Sequence, residues 1–199
     1  GEWPEPPPGE LLTRSDGKCL FYRGRLNGLY GAPESGKTWV ALAAIVEEVK
    51  QGGNAALIDI DHNGELQLVL WLAALGLEPE AIADEDRFRL YTPDGAAEYR
   101  AAMRELLEIK PTLLVVDSIG ELLPMLGMSS LDNDDTRRGL RPLALFAEEI
   151  NCSVITIDHI TKDASNTKYA IGAGGKKAMV NGSYIYVDAI VQPAPGRVG

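Results

Sequence analysis

Eight consecutive residues, Gly31 to Thr38, read GAPESGKT and hold the densest chemical information in the chain. Gly31, Gly36, Lys37 and Thr38 satisfy the spacing GxxxxGK(S/T) of a phosphate-binding loop. Glycines let the backbone turn tightly and bring several N–H groups around one anion, with no Cβ in the way. Lysine at this place reaches the β- and γ-phosphates of a nucleoside triphosphate as a point charge, and the Thr38 hydroxyl is suited to ligate Mg²⁺. The candidate binding loop is the whole run Gly31, Ala32, Pro33, Glu34, Ser35, Gly36, Lys37 and Thr38. Glu34 is the anomaly, a negative charge inside an anion cradle. Backbone N–H groups make such a cradle, so its side chain is expected to point away. Pro33 fixes φ and offers no N–H, so the early loop sets shape and is not itself a ligand.

Three further stretches end in chemically useful residues. TLLVVDS places Asp117 after a run of apolar residues, at the end of an expected buried strand, where it either orients Mg²⁺ through water or caps the next turn. ALIDIDHNGE offers Asp59, Asp61 and Glu65 as carboxylates that could polarise an attacking water. Strand alternation puts Asp59 and Asp61 on one side, with Asp61 nearer the strand end; the competing reading makes Asp61 a turn residue of DHNG. VITIDHITK puts Asp158 and His159 at another strand end, where a polar side chain could sense a γ-phosphate. His62 and His159 have neither the spacing nor the Cys partners of a zinc site.

The intervening sequence supplies the elements that must hold these residues. WVALAAIVEEVK reads as a helix stopped by Gly52-Gly53, with its positive N-terminal dipole aimed at the phosphates. ELQLVLWLAALG, GAAEYRAAMRELLEIK and DNDDTRRGLRPLALFAEEIN read as further helices, the last despite Pro142 and with its acids at the N-terminus. RLNGLYG, AALIDI, FRLYT, TLLVVD, CSVITID and GSYIYVDAIV have strand character. Strands alternating with helices imply an α/β fold, a mainly parallel twisted sheet with helices on both faces. HITKDASNTKYAIGAGGKK is long, polar and glycine-rich, and reads as a functional or flexible loop.

Composition sets the outer bounds. The chain has 199 residues, 45% hydrophobic, enough for one domain with a full core. The expected organisation is a Pro-rich arm over 1–17 and one domain over 18–199, with QPAPGRVG reading as an unfinished connection. A formal net charge of −10 argues against a broad nucleic-acid-binding surface and leaves room for a local basic patch. No apolar run approaches a membrane span, so no membrane partner is expected. Cys19 and Cys152 are not in a metal spacing, and a cytoplasmic protein is the simplest account.

Taken in order, GAPESGKT, LIDIDHNGE, LLVVDS, DNDD before a helix and VITIDHITKD resemble the RecA-like P-loop ATPases. Such loops often carry a Pro-Glu pair where Pro33 and Glu34 stand. The nearest likeness is to the RepA- and DnaB-type helicase branch, in the small forms of phages and mobile elements. The resemblance implies a RecA-like P-loop NTPase fold and hydrolysis of ATP with Mg²⁺ in a homo-oligomer, a ring (a hexamer by analogy) or a filament, acting on single-stranded DNA in replication or recombination. It implies Lys37 and Thr38 at the phosphates and Mg²⁺, Asp117 at the metal and His159 as sensor. Asp61 stands where many relatives carry a catalytic Glu. Lys162, Lys168, Lys176 and Lys177 fall where relatives place DNA-contacting loops or cations that act across a subunit interface. The adjacent Lys176 and Lys177 are expected to need an anion nearby, a neighbour's γ-phosphate or DNA. Two other readings stay open: a DNA-independent ATPase that loads or remodels a protein partner, and a nucleotide-dependent interaction module with weak turnover.

Overall fold

Apolar runs too short to be helices become the strands of a single sheet. The computed structural model describes residues 8–159 and 173–188. In chain order, a hairpin of β1 (Leu11–Thr13) and β2 (Cys19–Phe21) leads into β3 (Leu26–Gly31) and α1 (Lys37–Lys50). Then come β4 (Ala55–Asp59), α2 (Glu65–Ala74), α3 (Pro79–Ala83), β5 (Phe88–Tyr91) and α4 (Ala96–Ile109). The rest comprises β6 (Leu113–Asp117), α5 (Ile119–Met125), α6 (Asn133–Ile150), β7 (Ser153–His159), α7 (Ala173–Met179) and β8 (Tyr184–Tyr186). The main sheet has the order β5-β4-β6-β7-β3-β8, and every pairing in it is parallel.

The strands are apolar on both faces because both faces are covered. Leu57, Leu113, Val115, Ile155 and Ile157 pack with α1 and α2 through Leu42, Ile45, Leu68 and Leu72. Their alternating neighbours Ala56, Ile58, Leu114, Val116 and Val154 pack on the other face against Leu106 of α4, Leu122 of α5 and Leu143 and Phe146 of α6. The fold is thus α/β, with helices on both faces, as expected of a RecA-like P-loop NTPase. Asp132 caps α6, its carboxylate accepting from the N–H groups of Asp134 and Asp135 at 2.9 and 2.8 Å.

Two expectations change here. The hairpin straddles the boundary drawn at residue 17: Leu11 pairs with Phe21, is fully buried and joins the core beside α1, so residues 11–13 are a strand of the folded unit. Lys176 and Lys177 lie in α7, not in a swinging loop. The glycine before them serves close approach. A Cβ on Gly175 would meet Oδ1, O and Cα of Asn133 at 3.0, 3.1 and 3.2 Å. Residues 1–7 of the Pro-rich arm, and Lys162 and Lys168, lie outside the described residues. Both cysteines are free thiols, and burial pushes that of Cys152 well up. Among the described residues no helix is long and apolar enough to cross a membrane.

Candidate active site

Parallel register gathers the chemistry at the C-terminal ends of the strands, where ligands bind in open α/β sheets. Gly31 lies beside His159 and Tyr30 beside Asp158, while Asp117 lies between Asp59 and Ile157. The loop from Ala32 to Gly36 leaves β3 and enters α1 through Gly36, whose φ of 94° only glycine adopts readily. Gly36 caps α1 without any side-chain hydrogen bond, so the first N–H groups of a 14-residue helix face the cleft with its positive dipole end. Pro33 and Glu34 are exposed, Glu34 with φ of 62°, while Ser35 is buried.

Lys37 is folded into its own loop. Its Nζ donates to the carbonyls of Gly31 and Ala32 at 3.1 and 2.6 Å and to Ser35 Oγ at 3.5 Å. Burial pulls this ammonium below its ordinary range, and the carboxylates of Asp117, Asp158 and Asp61 oppose that pull. The loop carbonyls thus hold an ammonium that an arriving phosphate can take over.

Behind the loop, Thr38 Oγ1 donates to Asp117 Oδ2 at 2.9 Å. Asp117 is buried, and its other oxygen, Oδ1, has no hydrogen-bond partner. Burial, reinforced by Asp61, pushes its carboxyl up to about 6. Asp59 is shifted upward as well, chiefly by burial, with relief from Asn63, whose Nδ2 donates to its Oδ1 at 2.8 Å. Asp61 goes the other way. Its Oδ2 lies 3.0 Å from His159 Nε2 and its Oδ1 accepts from Ser118 Oγ at 2.8 Å, and these bonds, the histidine's first, hold its carboxyl below the usual range.

Ligand atoms of Asp61, Asp117 and His159 lie within 4.8 Å of one another. A hard divalent cation suits the oxygen donors Thr38 Oγ1 and Asp117 better than it suits an imidazole nitrogen. The unpartnered Asp117 Oδ1 gives that cation, or a water bound to it, an acceptor waiting in the site. The residues present therefore fit Mg²⁺. His62 is exposed and turned 4.0 Å from Asp94, away from any pairing with His159.

The cleft over this set is about 280 Å³ and is lined by Glu34 to Trp39, Asp61, Asn63, Trp71 and His159. Glu65 is not among its walls. It opens α2 in an exposed position and borders a different hollow between α2 and β5, so the turn carries it away from the phosphates. Lys176 also departs from its expected role: it is buried against Asp158 of its own chain at 2.7 Å, so its anion is supplied in cis. Lys177 is exposed on α7. Four contributors escaped the sequence reading: Ser118, Asn63, Trp39 and Trp71. Trp39, directly after the loop, had a positional signal. Trp71 had none, yet its indole lies 5.3 Å from that of Trp39, centroid to centroid.

This geometry has relatives. A family model described as an AAA domain matches residues 4–165. Protein RecA of Mesomycoplasma hyopneumoniae (strain 7448) is 38% identical over 106 residues, covering 53% of this chain and 29% of that protein. Protein RecA of Staphylococcus carnosus is 33% identical over 150 residues, covering 70% of this chain and 39% of the relative. The mitochondrial DNA repair protein recA homolog of Dictyostelium discoideum is 29% identical over 147 residues, 69% of this chain and 30% of its own length. The chain thus spans less than two-fifths of the length of each of these relatives.

Proposed function

We propose, from the premise that this chain belongs to the AAA domain family, that it binds ATP with Mg²⁺ and hydrolyses it as a RecA-like module. The observation that carries the reading is the Thr38–Asp117 hydrogen bond at the base of a phosphate loop whose lysine is already buried and pointed inward. The free N–H groups of α1 and Lys37 Nζ take the phosphates. Thr38 Oγ1 and Asp117 hold Mg²⁺, which when bound spreads the charge of the β- and γ-phosphates. The facing indoles of Trp39 and Trp71 give the purine an apolar wall.

Asp61 orients the attacking water. Two donors fix its carboxylate, one on each oxygen, and its lowered pKa keeps it ionised at neutral pH. His159 shares that carboxylate and so registers whether the γ-phosphate is present. The relative named as a mitochondrial DNA repair protein supports a role in DNA repair, and the likeness to RecA-like ATPases extends the proposal to an oligomer and to recombination. The RepA- and DnaB-like helicase role, a ring or filament, and single-stranded DNA as substrate belong to this proposal. With net charge −10, contact with DNA is confined to a local patch in which Lys177 is the exposed candidate among the described residues. A second reading, an interaction module with slow turnover, draws on Asp61 itself, a short carboxylate with both oxygens engaged.

Phosphate release and ATP binding, measured with and without single-stranded DNA, test the assignment. Lys37→Ala is expected to lose turnover by about 10²–10³-fold and to bind ATP more weakly. Asp61→Asn is expected to bind ATP normally and to turn it over about 10²-fold more slowly, whereas Glu65→Gln behaves as wild type. Turnover by Lys37→Ala close to wild type sinks the reading. Wild-type binding of ATP with negligible turnover, unchanged by DNA, selects the interaction module.

A further inference from the structure

Among the described residues only two lysines are buried, Lys37 and Lys176. The first belongs to the phosphate loop; the second has no part in the chemistry described so far. Its Nζ donates to Asp158 Oδ2 at 2.7 Å, and the two side chains keep only 6% and 8% of their exposure. The other carboxylate oxygen of Asp158 accepts from the backbone N–H of His159 at 3.1 Å. Strand pairing sets Asp158 beside Tyr30, one residue before the phosphate loop begins. The pair is therefore buried at the end of the strand that lies beside the one feeding the phosphate loop. It does not lie on an outer surface.

A buried ion pair is a poor stabiliser, because desolvating two charges offsets most of their attraction and a pair of apolar groups does as well. Its presence next to an anion site calls for another reason. Asp61, Asp117 and Asp158 all act electrostatically on Lys37. A bare Asp158 would be a third carboxylate opposing an incoming triphosphate and competing with it for the Lys37 ammonium. In a weakly screened interior such a charge acts strongly at several ångströms.

We propose that Lys176 is a positioning residue for the nucleotide: by neutralising Asp158 within the same chain, it clears the phosphate seat of that carboxylate's field and leaves Lys37 free to turn from the loop carbonyls to the phosphates. This rests on the ATP-binding reading above. α7 delivers the lysine, and the close contact of Gly175 with Asn133, whose Oδ1 accepts from Gly175 N–H at 3.0 Å, holds α7 against the start of α6.

A charge-cancelling role and a purely structural latch differ in the sign of one variant. ATP affinity is measured calorimetrically in EDTA, so that no metal enters the charge balance, for wild type, Lys176→Met, Asp158→Asn and the double variant; thermal melting is followed in parallel. Lys176→Met leaves Asp158 alone and is expected to weaken ATP binding by about tenfold. Asp158→Asn leaves a cation by the phosphates, so binding stays equal or tightens although melting temperature falls. The double variant returns to within about twofold of wild type in affinity and regains melting temperature, because neither charge is left unpaired. Weaker ATP binding by Asp158→Asn, or a double variant as poor as Lys176→Met, overturns the proposal in favour of a latch. Should Lys176→Met not fold, Asp158→Asn and the double variant still decide by the same criterion. Failure of the wild type to bind ATP once Mg²⁺ is supplied in place of EDTA is a different result and removes the ATP reading itself.

Discussion

The two ends of the main sheet treat their polar groups in opposite ways. At the N-terminal end Asn27 is a fully used hub. Its Oδ1 accepts from the N–H groups of Tyr22 and Ser183, and its Nδ2 lies within 3.0–3.3 Å of the Tyr22, Arg25 and Val154 carbonyls and Ser153 Oγ. Nearby, Asn54 and Thr112 exchange four hydrogen bonds, one of them between backbones, and Arg23 closes on the buried Glu48 at 2.7 Å. At the C-terminal end Asp59 Oδ2, Asp117 Oδ1 and His159 Nδ1 are buried with no partner. Buried polar groups normally find partners, and these three of the six unpartnered atoms among the described residues sit on the neighbouring ends of β4, β6 and β7, which marks where a ligand completes the structure. One end holds the strands together; the other keeps bonds in reserve.

The sharpest way to break this contrast is at the hub. Asn27→Ala strands two N–H donors and several carbonyls and is expected to cost about 3 kcal/mol or more in denaturant unfolding. ATP affinity should change by less than about twofold, since no part of the hub lines the cleft. A large loss of affinity with little loss of stability would erase the division between the ends.

The opposite sign is expected at the ligand end. Asp117, with its carboxyl raised from 3.8 to about 6, holds its proton more tightly folded than unfolded. Between those values the folded state carries the extra proton, so the stability of nucleotide-free and metal-free protein falls as pH rises through about 4 to 6. Asp61 works in the other direction: its lowered pKa adds stability that is present above the ordinary carboxylate value and lost on acidification below it. Asp117→Asn is expected to stabilise the ligand-free protein at pH 7 by about 2–3 kcal/mol and to flatten the slope between about pH 4 and 6. Mg²⁺-dependent turnover should be lost in the same variant. Unfolding curves across this range check both parts.

The smallest effect concerns Glu34. Its side chain is exposed and its backbone sits at φ 62°, a region that costs a residue with a Cβ about 1 kcal/mol. Glu34→Gly should relieve that strain and raise stability by up to about 1 kcal/mol, with ATP binding unchanged. A marked drop in affinity would give Glu34 a ligand role.

The sequence made the ligand end legible in part and the structural end hardly at all. Gly31 to Thr38, Asp117 and the strand ends at Asp61 and His159 follow local rules, a fixed spacing or the close of an apolar run. The bonds joining them do not: His159 meets Asp61 across 98 residues and Thr38 meets Asp117 across 79, and only strand order sets such distances. The Asn27 hub was invisible for the same reason, since its partners lie up to 156 positions away. The misreading at Gly175-Lys176 has a different origin. Glycine beside lysines suggests a hinge, but here glycine permits one helix to touch another, and the lysine is buried by that contact. α3 and α5, at 5 and 7 residues, are too short for periodicity to reveal.

The tilted stack of Trp39 and Trp71 has an optical consequence. The chain contains three tryptophans, and these two face each other at 41° across the wall of the cleft. Indoles so close exchange excitation, and a purine laid against either ring opens a non-radiative path for both. Their ultraviolet emission is therefore a gauge of whether the cleft is filled, readable on the unlabelled protein in a cuvette, and a Trp71→Phe change would dim that signal while leaving an aromatic wall in place.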